Sequence, residues 1–383
     1  MKTLFLLNVT AITPRGLQPN HTIKIQDGRI TAVLPNEDVH ELPADMEIFD
    51  ACGAYAAPGF IDLHIHGYAG HGPENASADD LLAMSAALAK QGVCAFCPTL
   101  YCGTEEEMAH ILRATVGAFG RETGAKMLGY HLEGPFISPQ KPGVMKPQDI
   151  LAPSVEVLAR LYKAAQGKIC SMTLAPERPG MEPVIAFCRE HRILMQAGHT
   201  NATYEEFLAA TRQGITHATH LFNAMSPFNH RAPGAAGAVL LHPQISCEII
   251  ADGVHVHPDV VRFLGRIKPP QQIALVTDAL KPTGQEKGPF YANGEEVILD
   301  GGVWKRKADK VIAGSALTML KGVQNLVRFG FTLAQAAACA AAVPARLLGL
   351  NTRGQVAPGM RADLTLFDKD FHLQAVFING ERK

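Results

Sequence analysis

From Pro58 onward, short runs of β-branched and other apolar residues alternate with amphipathic segments. This alternation favours parallel β/α units over an antiparallel sandwich. The apolar runs give eight predicted strands, at Phe60–His66, Val93–Cys97, Met127–Leu132, Ile169–Leu174, Ile193–Ala197, Thr216–His220, Ser246–Ala251 and Ile273–Thr277. Because a closed (β/α)8 barrel needs eight strands, the pattern predicts an α/β fold with a TIM-type barrel.

The segments between these strands carry helix signals. Ser77 can cap a helix that runs through Lys90, with acidic residues in its first turn and Gly92 at its end. Further helices are predicted at Glu105–Phe119, Ser154–Ala165, Glu182–Arg189, Tyr204–Arg212, Pro258–Arg266 and Leu317–Phe329. The Gly-rich stretch 281–314 has strand-like patches and is expected to be a loop insertion over the barrel mouth.

The two ends of the chain have a different pattern from its middle. Short strands are separated by turn residues such as Asp27-Gly28, which predicts a hairpin, and residues 362–380 repeat this texture. We expect residues 1–57 and 356–383 to form one small β-sandwich domain beside a barrel of residues 58–355. The apolar run that begins at Met1 is too short for a signal peptide and is predicted as the first strand.

The amino-acid composition and net charge exclude several classes of protein to which the chain could belong. Hydrophobic residues make up 47% of the chain and charged residues 19%, with a formal net charge of −1. These values are typical of a globular protein and exclude the basic footprint of a nucleic-acid binder. No segment approaches the roughly 20 apolar residues of a membrane span, so a cytoplasmic protein is expected. Eight cysteines without an export signal favour reduced thiols, and Cys94-x-x-Cys97 lacks the second pair of a metal site.

Candidate metal ligands lie where predicted strands end, which is where the reactive groups of a barrel gather. His64 and His66 project to the same side of the first strand, because side chains in a strand alternate. Ligand-type side chains at later strand ends are Glu133, His199, His220 and Asp278. Their agreement in position predicts a metal site. His217 has the opposite strand parity to His220 and is interpreted as structural.

Six motifs then follow one another along the chain: Pro58–Gly67, His131–Phe136, Ala197–Ala202, Thr219–Met225, Ile250–His257 and Leu275–Ala279. Through them the chain resembles the amidohydrolase superfamily and, within it, the N-acetylglucosamine-6-phosphate deacetylases. The resemblance implies hydrolysis of N-acetyl-D-glucosamine 6-phosphate to D-glucosamine 6-phosphate and acetate, in amino-sugar catabolism or recycling.

The resemblance also implies residue roles. Glu133, His199 and His220 would hold the principal divalent ion, expected to be Zn²⁺. His64 and His66 could hold a second ion with Glu133 as the bridge, giving one or two ions per subunit. Asp278 would be the general base, which takes a proton from the water that attacks the acetyl carbonyl and returns it to the leaving amine.

Four further positions are implied to face the sugar phosphate: Asn223, the backbone of Ala224, Arg231 and His255. Arg231 suits phosphate because its planar guanidinium binds oxygens in pairs. The resemblance implies a homodimer in which this arginine reaches the neighbour's site.

One position departs from the family pattern. Met145 lies where members carry a histidine that hydrogen-bonds the acetyl carbonyl, and a thioether cannot donate a hydrogen bond. The exact sugar therefore stays open, with N-acetylgalactosamine 6-phosphate or a non-phosphorylated acetamido sugar as alternatives. A non-catalytic assembly protein on this scaffold is the alternative from another class, although such relatives usually lose metal ligands and this chain keeps them.

Overall fold

The computed structural model describes residues 3–39 and 46–383. Met1 and Lys2, where the predicted first strand begins, lie outside the described residues, as do residues 40–45 of the predicted N-terminal segment. The described N-terminal strands are β1 (Thr3–Thr13), β2 (Gly16–Gln26), β3 (Arg29–Pro35), β4 (Glu47–Asp50) and β5 (Tyr55–Pro58). Asp27 and Gly28, both with positive φ, join β2 to β3 in the predicted hairpin.

A parallel barrel follows these strands. Its strands are β6 (Phe60–Ile65), β7 (Val93–Leu100), β8 (Lys126–Met127), β9 (Tyr130–Glu133), β10 (Ile169–Leu174), β11 (Leu194–Ala197), β12 (His217–Ala218), β13 (Ser246–Ile250) and β14 (Ile273–Val276). The His66 N–H donates to the Ala279 carbonyl at 3.0 Å and the Asp278 N–H donates to the His64 carbonyl at 2.8 Å, closing β14 onto β6. The predicted (β/α)8 barrel is confirmed.

Two strands differ from their predicted bounds: the third is divided in two, and the sixth is shorter. The predicted strand Met127–Leu132 is broken at Gly129, whose φ of +150° interrupts the extended backbone, so that β8 and β9 pair separately with β7. The sixth strand is only two residues long because the chain turns sharply at His220, with φ +22°.

Helices cover the outside of the barrel: α1 (Ala78–Ala89), α2 (Glu105–Thr115), α3 (Val155–Ala164), α4 (Glu182–Glu190), α5 (Tyr204–Thr211), α6 (Gly234–Leu241) and α7 (Pro258–Ile267). Ser77 caps α1 as predicted, by accepting from the Asp80 N–H. Thr104 and Glu107 form a capping box on α2. Helix α6 was not predicted, because its glycine- and alanine-rich sequence is buried on nearly all sides and has no polar face.

The stretch after β14 is an antiparallel sheet, rather than the expected loop, made of β15 (Phe290–Ala292), β16 (Glu295–Asp300), β17 (Val303–Arg306) and β18 (Ile312–Ser315). Trp304 is buried, and its indole N–H donates to the Thr283 hydroxyl at 2.9 Å. The same apolar cluster contains Tyr101 and Met145, which lie at the barrel mouth. The insertion therefore packs directly against the site.

The chain ends with α8 (Met319–Arg328), α9 (Leu333–Ala340), α10 (Ala342–Leu347), β19 (Leu364–Phe367), β20 (Leu373–Ile378) and β21 (Glu381–Arg382). β19 pairs with β5, so strands from both chain ends share one sheet, as predicted. This sheet has its own core, which includes Leu6, Ile23 and Phe377. The domain boundaries at residues 57/58 and 355/356 stay predictions. In the described ranges, no helix combines the length and apolarity that crossing a bilayer requires.

Candidate metal centre and active site

Six side chains meet at the carboxyl ends of five barrel strands. They are His64 and His66 at the end of β6, Glu133 at the end of β9, His199 after β11, His220 after β12 and Asp278 after β14. Each residue is at most 9% exposed. The structure thus brings together all the residues that the sequence predicted as metal ligands or base.

Glu133 lies at the centre of this group. Its Oε1 is 3.0 Å from His220 Nε2 and 3.2 Å from His199 Nε2. The same oxygen is 3.4 Å from His64 Nε2, while Oε2 is 3.2 Å from His66 Nε2. One carboxylate therefore contacts four imidazoles, three through Oε1 and one through Oε2.

These contacts define two overlapping sets of ligand-type atoms. In each set the atoms lie within 4.8 Å of one another: His64, His66 and Glu133 in one, and Glu133, His199 and His220 in the other. Imidazole nitrogen and carboxylate oxygen are the donors that zinc prefers. Among the described residues, His64 Nε2 and His220 Nδ1 are also buried without a hydrogen-bond partner, and His64 Nε2 faces carboxylate oxygens. The donor set and the buried His64 nitrogen suit a divalent cation.

Asp278 approaches from the His64 and His66 side. Its Oδ1 is 3.5 Å from His64 Nε2 and 3.4 Å from His66 Nε2. Burial raises the pKa of Asp278, but the charges of the two imidazoles outweigh this effect and lower the pKa below its ordinary value. Burial likewise raises the pKa of Glu133, and His64, His199 and His220 lower it well below the usual range. Both carboxylates are therefore ionised at neutral pH and attract positive charge.

The backbone is strained where three of these side chains leave their strands. His199, His220 and Asp278 have φ values of +46°, +22° and +50°, a region that residues other than glycine rarely adopt. Such conformations persist only when the surroundings hold them, and they cluster at functional sites. In this conformation the side chains of His199 and His220 reach Glu133, and that of Asp278 reaches His64.

The loop after β9 supports His199. The imidazole Nδ1 donates to the Lys141 carbonyl at 2.9 Å, because a carbonyl can only accept, and Nε2 points at Glu133 Oε1 from 3.2 Å. Gly143, with φ +58°, passes so close that a Cβ there would lie 2.8 Å from His199 Cε1. The glycine is therefore required for this approach.

Two other buried histidines pack below the site. His131 contacts the Ser171 and Thr173 hydroxyls at 2.9 and 3.0 Å, and burial lowers its pKa to about 3. Burial lowers the pKa of His217 to about 4, and its Nδ1 lies 2.7 Å from the Ser246 hydroxyl. Both remain neutral and fill the barrel interior.

A cavity of about 140 Å³ opens above the six side chains. Asn223, Ala224 and His255 line it, as does Met145. Arg231 is exposed and is not among the described residues that line this cavity. Within one chain, the structure thus brings three of the four predicted substrate residues to the site.

Three residues near the site were not anticipated from the sequence. The Tyr101 ring stacks on His66 at 3.7 Å between centroids. Asp252 accepts at 2.5 Å from His255 Nδ1, which orients that imidazole. Glu248 is 3.2 Å from His64 Nδ1. A charged residue in the apolar strand Ser246–Ile250 was the one available sequence signal for Glu248.

Comparisons with known proteins agree with this site. Residues 55–383 match the model of the Amidohydrolase family. The chain is 30% identical to an N-acetylglucosamine-6-phosphate deacetylase of Lysinibacillus sphaericus, over 99% of this chain and 97% of the relative. It is 32% identical to an N-acetylgalactosamine-6-phosphate deacetylase of Escherichia coli O157:H7, over 97% and 96% of the two chains. The crystal structure of N-acetylglucosamine-6-phosphate deacetylase from Pasteurella multocida superposes with a TM-score of 0.92 at 31% identity, covering 100% of this chain and 99% of that one.

Proposed function

This chain belongs to the amidohydrolase family of metal-dependent hydrolases, and we propose that it deacetylates N-acetyl-D-glucosamine 6-phosphate to D-glucosamine 6-phosphate and acetate. The observation that carries this proposal is the convergence of four imidazoles on Glu133, with Asp278 beside them. Relatives with this activity match nearly the whole chain.

The proposed cofactor is Zn²⁺. Glu133, His199 and His220 would hold the principal ion, and His64 and His66 would hold a second ion with Glu133. When bound, a divalent ion supplies Lewis acidity, which in zinc enzymes lowers the pKa of a water molecule from 15.7 to about 7. His199 fits this role because its Nδ1 donates to the Lys141 carbonyl, which leaves Nε2 as the nitrogen that can bind an ion once it is deprotonated.

Asp278 is proposed as the general base. Its ionised carboxylate takes a proton from the water that attacks the acetyl carbon, and a new C–O bond forms. The same carboxyl then gives the proton to the amide nitrogen as the C–N bond breaks. The Asp278 carboxylate is thereby regenerated, and the second proton of the water passes from the new carboxyl group to the amine, so the products are acetate and an ammonium group.

Asn223, the Ala224 backbone and His255 are proposed to contact the sugar, because they line the cavity. Met145 cannot polarise the acetyl carbonyl, so this task falls to a second ion or to His255.

N-acetylgalactosamine 6-phosphate is the second candidate substrate, favoured by the similarity to the Escherichia coli relative that acts on it. Assaying zinc-supplemented protein against both phosphorylated sugars and their free forms tests the proposal. Acetate release only from free sugars would contradict it.

A homodimer is proposed to complete the phosphate site. Arg231 is exposed and is not among the described residues that line the cavity of its own chain. Two apolar side chains near it in the sequence are also exposed, Phe228 at 52% and Leu241 at 56%. Helix α7 adds exposed Val260, Phe263 and Ile267, and Lys268 at its end donates to carbonyls at the end of α6. Apolar surface of this kind is typical of subunit contacts. A cytoplasmic location also stays a prediction.

Arg231→Ala is expected to lower kcat/KM for the phosphorylated sugar by about 10- to 100-fold, the usual value of a charged hydrogen-bonded contact. Turnover of the free sugar should not change. The exposed Arg121 provides the matched control, because Arg121→Ala removes the same charge elsewhere. An equal loss on both substrates would remove Arg231 from phosphate binding.

Co-expression of Arg231→Ala with Asp278→Asn tests whether the arginine acts across the dimer. A mixed dimer then has one site with both Asp278 and the other subunit's Arg231, so random pairing should restore about a quarter of wild-type activity. If the arginine acts within its own chain, no mixed dimer contains an intact site, because each chain lacks either Arg231 or Asp278. The activity of the mixture should then not exceed the average of the two single variants.

A further inference from the structure

Glu248 is a fully buried carboxylate in the middle of β13, and neither ligand set contains it. Burying a charge destabilises the fold unless hydrogen bonds or opposite charges compensate it, so the contacts of Glu248 indicate its role. We propose that Glu248 is a positioning residue that orients one histidine from each ligand set. The inference rests on the metal site of the proposed function.

The first partner is His64. Glu248 Oε2 lies 3.2 Å from His64 Nδ1. An ionised carboxylate can only accept, so this contact places a proton on Nδ1 and leaves Nε2 as the ring nitrogen that can bind a metal ion. Among the described residues Nε2 has no hydrogen-bond partner, and it lies 3.4 Å from Glu133 Oε1 and 3.5 Å from Asp278 Oδ1. Glu248 thus selects the tautomer and the ring orientation that a metal ligand needs.

The second partner is the backbone of His220. Its N–H donates to the same Oε2 at 3.2 Å, and the next N–H, of Leu221, donates to the Glu248 carbonyl at 3.0 Å. These bonds hold the strained turn, with φ +22°, that directs His220 toward Glu133. Glu248 therefore supports one histidine from each ligand set, His64 and His220.

A purely structural pairing with His217 is the competing explanation. His217 Nε2 is 4.0 Å from Glu248 Oε1, and neither of these two atoms has a hydrogen-bond partner among the described residues. Both hydrogen bonds of the carboxylate go instead to His64 and His220. The contacts therefore favour the positioning role.

Two variants of Glu248 separate these explanations. Glu248→Met fills a similar volume but removes the acceptor, whereas Glu248→Gln keeps an acceptor oxygen that can occupy the same place. Competition for zinc between metal-free, full-length protein and a chromophoric chelator measures the affinity and the number of ions bound. We expect about 10- to 100-fold weaker zinc binding in Glu248→Met, the usual effect of losing such a supporting contact, and recovery of most of it in Glu248→Gln.

His217→Gln is the matched control and should leave zinc affinity unchanged. Wild-type affinity in Glu248→Met would overturn the inference while leaving the proposed function in place. A wild-type chain that binds no zinc would overturn both. If Glu248→Met does not fold, ¹⁵N NMR of the zinc-loaded wild-type protein decides, with His64→Gln used for assignment: a His64 protonated only on Nδ1 supports the inference, and one that carries a proton on Nε2 contradicts it.

Discussion

Asp278→Asn is expected to retain its metal and to lose two to four orders of magnitude in kcat, the usual contribution of a positioned general base. The amide has nearly the shape of the carboxylate, but it cannot accept the proton from the attacking water. Metal should remain because Asp278 lies outside both ligand sets. Metal content and single-turnover acetate release are the two measurements.

The control for this variant is Asp149→Asn. Asp149 is 8% exposed, compared with 9% for Asp278, and it lies beside a neighbouring cavity at the barrel mouth. Its replacement should change kcat little. A near-normal rate in Asp278→Asn would exclude this residue as the base, and another carboxylate would have to be sought.

Glu133→Gln is the second variant with a large expected effect, because both ligand sets share this carboxylate. Replacing one oxygen by an amide nitrogen puts a donor against imidazole nitrogens that lie 3.0–3.4 Å away. We expect the purified variant to lose most of its bound metal, and deacetylation to fall by at least as much as in Asp278→Asn. Elemental analysis and circular dichroism would separate metal loss from unfolding.

Glu122→Gln is the matched control for that variant. Glu122 is 7% exposed, and its carboxylate accepts from the Met127 N–H, outside both ligand sets. Its replacement should cost some stability and no metal. If Glu133→Gln kept a full metal content and normal turnover, the shared-carboxylate account would be wrong.

Much of the site could be predicted because strand geometry is local. Alternation placed His64 and His66 on one face, and both reach Glu133 in the structure. The ends of separate strands meet at one rim because the barrel is closed, which a count of eight apolar runs could indicate. The parity argument for His217 also agrees with its buried contact with Ser246.

Other features depend on tertiary contacts that no local pattern records. Helix α6 has no polar face because it is buried almost all round, so periodicity could not reveal it. The sheet β15–β18 is joined by hairpins within a Gly-rich stretch that reads as a loop. The role of Glu248 depends on which histidines face it from other strands. Arg231 is not among the described residues that line the cavity of its own chain, so its proposed phosphate contact would require a second subunit.

In the proposed site, side chains from separate strands enclose a metal ion beside Glu133. Anomalous diffraction at the zinc edge, on crystals of zinc-supplemented full-length protein, tests this most directly. We expect a strong peak between Glu133, His199 and His220, with the neighbouring position at His64 and His66 as the place for any second peak. Fully occupied zinc elsewhere on the chain, with no peak beside Glu133, would contradict it.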